Sequence, residues 1–203
     1  MIRHLIFDMG NVLLRFDPEL FLDRIGVAGE DRALLLREIF RSDDWLGMDR
    51  GDHDESQAVQ KMCARLPEHL HEKAHRLVCR WDEPLVPVDG MEELVSELKA
   101  AGYGIWLLSN ASRRQHEYWL RLPVHRYFDD TLISADERLI KPNHAIFDRC
   151  LEKFGLDAEE CFFIDDSAAN ITAAAERGIR GFEFRFDVPA LRRALASVGV
   201  SVK

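Results

Sequence analysis

Short apolar runs, each closed by a turn residue, recur at residues 2–7, 104–108, 131–134, 161–164 and 181–186. Several lack polar alternation, as strands buried on both faces do. Between the later runs the apolar spacing changes to three and four. Met91, Leu94, Val95 and Leu98 share one face of a predicted helix over 91–101, which stops at Gly102. Ile146, Phe147, Cys150, Leu151 and Phe154 do the same over 143–154, before Gly155. A third helix, over 168–177, stops at Gly178. Strand and helix in alternation predict βαβ units and an α/β fold with a parallel, doubly wound sheet.

The stretch 17–88 breaks this rhythm. It reads as helices alone, over 19–25, 30–41, 54–66 and 68–81, with Pro18 at one end and Pro84 and Pro87 at the other. The expectation is a helical insert, 17–88, set into a core made of 1–16 and 89–203. Residues 45–51, Trp45-Leu46-Gly47-Met48-Asp49-Arg50-Gly51, read as a break between two of its helices.

Composition narrows the class. Apolar residues make up 47% and charged residues 31% of the 203, as in an ordinary globular protein. A net charge of −9 argues against a nucleic-acid partner. No apolar run is long enough to span a bilayer, and the first reaches Asp8 too early for a signal peptide. Cys63, Cys79, Cys150 and Cys161 form no C-x-x-C pair and read as free thiols in a reducing cytoplasm.

Chemistry gathers at the strand ends. Asp8 follows the first run, Ser109-Asn110 the second, and Asp165-Asp166 the fourth, while Lys141-Pro142 lies beyond the third. A parallel sheet brings such ends to one edge, where ligands bind. Carboxylates, a hydroxyl beside backbone N–H groups, and one ammonium in one crevice suit phosphoryl transfer. Asp8 can attack phosphorus, and a hard divalent cation, Mg²⁺, would relieve the crowded acids. Ser109 and Lys141 can hold the transferring group.

Asp8-Met9-Gly10-Asn11-Val12, Leu107-Leu108-Ser109-Asn110, Lys141-Pro142 and Phe163-Ile164-Asp165-Asp166-Ser167-Ala168-Ala169-Asn170, in that order, resemble the haloacid dehalogenase-like hydrolase superfamily. The resemblance spans the whole chain. It implies a Rossmann-like core with a C1-type helical cap over 17–88. The opening Phe7-Asp8-x-Gly10-Asn11-Val12 is similar to the sugar-phosphate phosphatases, glucose-1-phosphate phosphatase among them. It implies that Asp8 is the nucleophile and, with the Gly10 carbonyl and Asp166, a Mg²⁺ ligand. Asp165 would ligate directly or through water. Ser109, Asn110, Asn11 and Lys141 would bind the phosphoryl group, with Ser109 and Lys141 sharing in catalysis, and Asn170 would order the groups behind the ligands. The partner implied is a small phosphorylated metabolite, met by a monomer or homodimer.

One position departs from that pattern. Most family phosphatases carry a second Asp two residues after the nucleophile, where this chain has Gly10. General acid–base help is worth ~10²–10⁴-fold. Haloacid dehalogenases of the superfamily also lack this acid, but they have Ser-Ser at the metal-binding pair, whereas this chain has Asp165-Asp166. Phosphonate-cleaving members use a cap lysine, and the insert offers only Lys61 and Lys73 in polar surroundings. A silent binding protein on this fold would not need its metal ligands. A phosphatase is therefore expected, with water, Asp17 or a substrate hydroxyl assisting the leaving group.

Cap loops of this family face the nucleophile, so the segment 45–51, with Trp45, Met48 and Arg50, is expected to shape the substrate pocket. His69, His71 and His75 invite a metal reading, but no third acid or cysteine completes a site, and a solvated helix face is expected.

Overall fold

The structure is a computed structural model that describes residues 1–201. In chain order, β1 (His4–Phe7) precedes five helices: α1 (Pro18–Arg24), α2 (Gly29–Leu35), α3 (Asp43–Arg50), α4 (Glu55–Cys63) and α5 (His71–Cys79). Then follow α6 (Met91–Ala100), β2 (Gly104–Ser109), α7 (Gln115–Trp119), β3 (Asp130–Ile133), α8 (Ser134–Glu137), α9 (His144–Phe154), β4 (Cys161–Asp165), α10 (Ala168–Glu176), β5 (Arg180–Glu183) and α11 (Val188–Ser197).

The strands form one parallel sheet in the order β3-β2-β1-β4-β5. Successive side chains of a strand point to opposite faces. Leu5 and Phe7 of β1 accordingly join the cluster under α6 and α11, while Ile6 joins Phe147 and Phe163 under α9. Both faces are covered, which explains the unbroken apolar runs. Each fully buried side chain of this size contributes about 1.5–3 kcal/mol.

Register sets up the site. Phe7 of the central strand lies level with Leu107 of β2 and Ile164 of β4. The next residues, Asp8, Leu108 and Asp165, therefore stand at one height along the carboxyl edge of the sheet. Lys141 reaches the same edge from the loop between α8 and α9, which ends where Asn143 caps α9 by accepting from the Ala145 N–H.

The five helices of the insert build a core of their own around Leu22, Leu35, Ile39, Met62, Leu70 and Leu77. Phe16 and Trp81 pack against both this cluster and the one beneath the sheet.

Two local expectations are corrected. The helix over 30–41 divides: α2 ends at Leu35 and Leu36–Phe40 continues as a π-helical stretch. The break at 45–51 is helical instead. Ser42 caps α3 by accepting from the Trp45 N–H, Asp43 and Asp44 favour its first turn, and Gly51 ends it at φ 74°. Among the described residues, no helix is long and apolar enough to cross a membrane.

Candidate active site

Lys141 is the hub of the sheet edge. Its Nζ donates to Asp8 Oδ1 at 2.7 Å, to Asp165 Oδ2 at 2.7 Å and to the Leu108 carbonyl at 2.8 Å. All three N–H bonds of the ammonium are thus used, and the side chain is 1% exposed. Burial pushes this ammonium down; Asp165 and Asp8 outweigh burial and hold it above the usual lysine range. Burial pushes the Asp8 carboxyl up, Lys141 draws it back, and Asp165 adds to the rise.

Asp165 is committed on every side. Its oxygens also accept from Asn170 Nδ2 at 2.9 and 3.0 Å and from the Ser167 N–H at 2.8 Å. Asp166 is more open. Burial raises its carboxyl, against one hydrogen bond from Asn11 Nδ2 at 3.0 Å.

Oxygens of Asp8, Asp165 and Asp166 lie within 4.8 Å of one another, the one cluster of this kind among the described residues. A set of hard oxygen donors fits Mg²⁺ better than a softer metal. No backbone N–H donates to the Gly10 carbonyl among the described residues, so that oxygen remains available to a cation. Asp8 and Asp166 keep an unbonded oxygen each, whereas Asp165 does not; direct ligation is better suited to the first two.

These groups floor a cleft of about 260 Å³. Ser109 lines it and is 1% exposed. Phe16, Trp45, Trp81 and Tyr118 form its wall. Phe16 lies 5.6 Å from Trp45 and 5.0 Å from Trp81, ring centre to ring centre, and Trp81 lies 5.1 Å from Tyr118. The strand-end motifs and the helical insert thus enclose one space.

The sequence profile of the haloacid dehalogenase-like hydrolases matches residues 2–178. The chain belongs to that family. A sesquiterpene phosphatase of Aspergillus oryzae is 25% identical over 87% of this hydrolase and 86% of its own length. A glyceraldehyde 3-phosphate phosphatase of Pyrococcus abyssi is 28% identical over 49% of this chain, which spans 42% of that relative. In fold, the hydrolase is similar to a family enzyme of Bacteroides thetaiotaomicron solved with magnesium and inorganic phosphate. The TM-score is 0.69 and the identity 24%, covering 94% of this chain and 99% of the other.

Several expected site residues of the hydrolase are held by partners that the sequence did not indicate. Asn110 lines the cleft, with its side-chain amide spent on Lys141: Oδ1 accepts from the Lys141 N–H and Nδ2 donates to the Lys141 carbonyl, both at 2.9 Å. It clamps the lysine's backbone. Asn11, at φ 55°, holds Asp166 and accepts from the Phe16 N–H at 3.0 Å. Arg50 does not line the cleft and pairs with Asp52 at 2.8 Å. His69 faces Asp31, and His71 bonds the Leu66 carbonyl.

Arg50→Ala is therefore expected to leave kcat/KM within about twofold of wild type and to cost at most about 1 kcal/mol, the upper value for an exposed ion pair. Steady-state kinetics and urea denaturation check this.

Trp45, Met48 and Asp49 of the segment 45–51 line the cleft, and Glu55, Tyr118 and Trp81 join them without having been expected there. The N-cap signal Ser42-Asp43-Asp44 and the closing Gly51 could have identified α3, and its helical phase would have favoured Asp49 over Arg50.

Proposed function

We propose that this hydrolase is a Mg²⁺-dependent phosphatase of small phosphate monoesters. The observation that carries the reading is the buried Lys141 ammonium bridging Asp8 and Asp165, with Asp166 beside them at the floor of a cleft. Unpaired acids in such a place are costly, and a cation with a phosphoryl group balances them.

Asp8, Asp166 and the Gly10 carbonyl would hold the ion, which when bound neutralises charge on the nucleophile and the phosphoryl oxygens. Asp8 attacks phosphorus, and the phosphoaspartate that results is hydrolysed by water. Ser109 binds a phosphoryl oxygen, and Lys141 stays paired with whatever charge Asp8 carries. Asn110, Asn11 and Asn170 keep Lys141, Asp166 and Asp165 in place. The insert acts as the cap that excludes water. The acid pair at 165 and 166 weighs against a dehalogenase that works without metal.

Sugar monophosphates, glucose-1-phosphate first, are the substrate class we propose; aromatic faces accept the apolar side of a sugar ring. The same wall suits an isoprenoid chain, and the Aspergillus relative acts on sesquiterpenes by its name, so farnesyl monophosphate is the second candidate. The free thiols suit the cytoplasm.

Phosphate release from glucose-1-phosphate, farnesyl monophosphate and p-nitrophenyl phosphate tests the reading. Chelation of Mg²⁺ is expected to lower the rate roughly a hundredfold or more, since metal stabilisation of charge is worth several kcal/mol, and added Mg²⁺ to restore it. Halide release from 2-chloropropionate, with no phosphate released from any ester, would sink it.

A further inference from the structure

We propose that Asp49, on α3, is the proton donor and acceptor of this site, replacing the side chain that Gly10 lacks; this rests on the phosphatase reading.

The other titratable groups of the cleft are already engaged. Asp8 accepts from Lys141, and Asp166 accepts from Asn11. The Lys141 ammonium has no free N–H. Glu55 accepts from the Ser112 hydroxyl. Burial, and then the charge of Asp49, pushes the Tyr118 hydroxyl well above the usual phenol range, too high to give up a proton at neutral pH. Asp49 alone lines the cleft with a carboxyl that takes no hydrogen bond or ion pair among the described residues.

Its position is fixed from behind. The Ser134 hydroxyl donates to the Asp49 carbonyl at 2.6 Å and accepts from the Ala111 N–H at 2.9 Å, two residues past Ser109. Gly51, the residue that ends α3, lies so close to the Ala135 carbonyl that a Cβ there would sit 2.3 Å from its oxygen. The last turn of α3 is thus docked on the segment that carries the cleft floor, so Asp49 is held on a fixed backbone over that floor.

The surroundings tune it for the task. Burial, with Glu55 and Asp8 adding, pushes the Asp49 carboxyl up to about 7. The charged groups of α8 do not offset this: Asp136 pairs with His116 and Arg113, and Glu137 with Arg149. On α3 itself Arg50 is spent on Asp52, and Asp44 on Arg65. A donor poised near the working pH is the most effective kind.

The steps balance. Asp8 attacks phosphorus, the P–O bond to the alcohol breaks, and its electron pair stays on the leaving oxygen. The Asp49 carboxyl gives that oxygen its proton, releasing the alcohol. The Asp49 carboxylate then takes a proton from water as the water oxygen attacks phosphorus. The bond from phosphorus to Asp8 breaks, freeing inorganic phosphate and restoring both residues.

The test compares β-glycerophosphate, whose alkoxide must be protonated, with p-nitrophenyl phosphate, whose phenolate leaves without help. Asp49→Asn is expected to lose ~10²–10⁴-fold on the first. On the second it keeps a rapid burst of one nitrophenolate per enzyme and then stalls as phosphoenzyme. The fall in wild-type activity above about pH 7, where Asp49 loses its proton, disappears in the variant. Gly10→Asp added to Asp49→Asn is expected to recover at least tenfold, since the new Cβ would meet Asp8 Oδ2 and the Phe16 Cβ no closer than 3.9 Å. Asp49→Glu, which keeps the carboxyl, is expected to retain part of the activity. An equal loss on both esters that also abolishes the nitrophenolate burst, with the alkaline limb unchanged, would overturn the assignment and leave the phosphatase standing. No phosphate from either ester with wild type would remove the phosphatase reading, and this one with it.

Discussion

Lys141→Met lowers folding stability by about 3–5 kcal/mol, the range for breaking a buried ion pair from one side. The substitution keeps the length of the stem and removes only the charge and its three hydrogen bonds. It leaves Asp8 and Asp165 facing one another inside the protein with no countercharge, and the Leu108 carbonyl without its donor. The deficit depends on pH. Asp8 already lies above the ordinary carboxylate range because of burial, and without Lys141 it rises further. A carboxyl raised on folding costs nothing below its unfolded pKa and most above its folded one. Urea denaturation in metal-free buffer should therefore show a smaller loss at pH 5 than at pH 8. In wild type the lysine is raised as well, so its own contribution is complete at neutral pH and is lost only as pH climbs through its folded pKa, above the usual lysine range.

Asp8→Asn has the opposite profile: it removes turnover and spares the fold. With no nucleophile to form the phosphoaspartate, phosphate release should fall on the order of 10⁵-fold or more, as when other covalent catalysts lose their attacking group. The amide oxygen still accepts from Lys141, which keeps Asp165 and the Leu108 carbonyl. One of the crowded acids is now neutral. Because the Asp8 carboxyl is raised on folding, its ionised form costs stability above the ordinary carboxylate pKa, and the asparagine escapes that cost. The melting temperature at pH 8 should equal or exceed that of wild type, and the advantage should vanish near pH 4. A variant that loses activity together with its cooperative melt would contradict this.

The sheet was legible because its strands are buried on both faces and the pattern leaves no competing reading. Phe7, Leu108 and Ile164 each end an apolar run, so the sequence alone brings Asp8, Ser109 and Asp165 to one edge, to within one residue of the observed register. The insert was harder. The inward side of α3 is split between the insert's core, which takes Met48, and a polar cleft, which takes Asp49, so no full apolar stripe marks it as a helix. Successive residues of a helix are turned by about 100°. When Asp49 faces the cleft, Arg50 turns from it, and the expectation for Arg50 fails for that reason. The clamp that Asn110 makes was not legible, because its partner, the Lys141 backbone, lies 31 residues away and no local pattern carries that pairing.

Phe16 and Trp81 stand where the chain passes from the sheet into the helical insert and where it returns, and their rings touch edge to face at 5.0 Å. Each packs on the clusters at both ends of its crossing. The two crossings thus meet at a single greasy pivot, and that pivot is part of the cleft wall. Any swing of the insert must roll one ring over the other. A molecule held against these rings would bear on that same contact, so the shape of the cleft wall and the angle at which the insert meets the sheet rest on one pair of side chains.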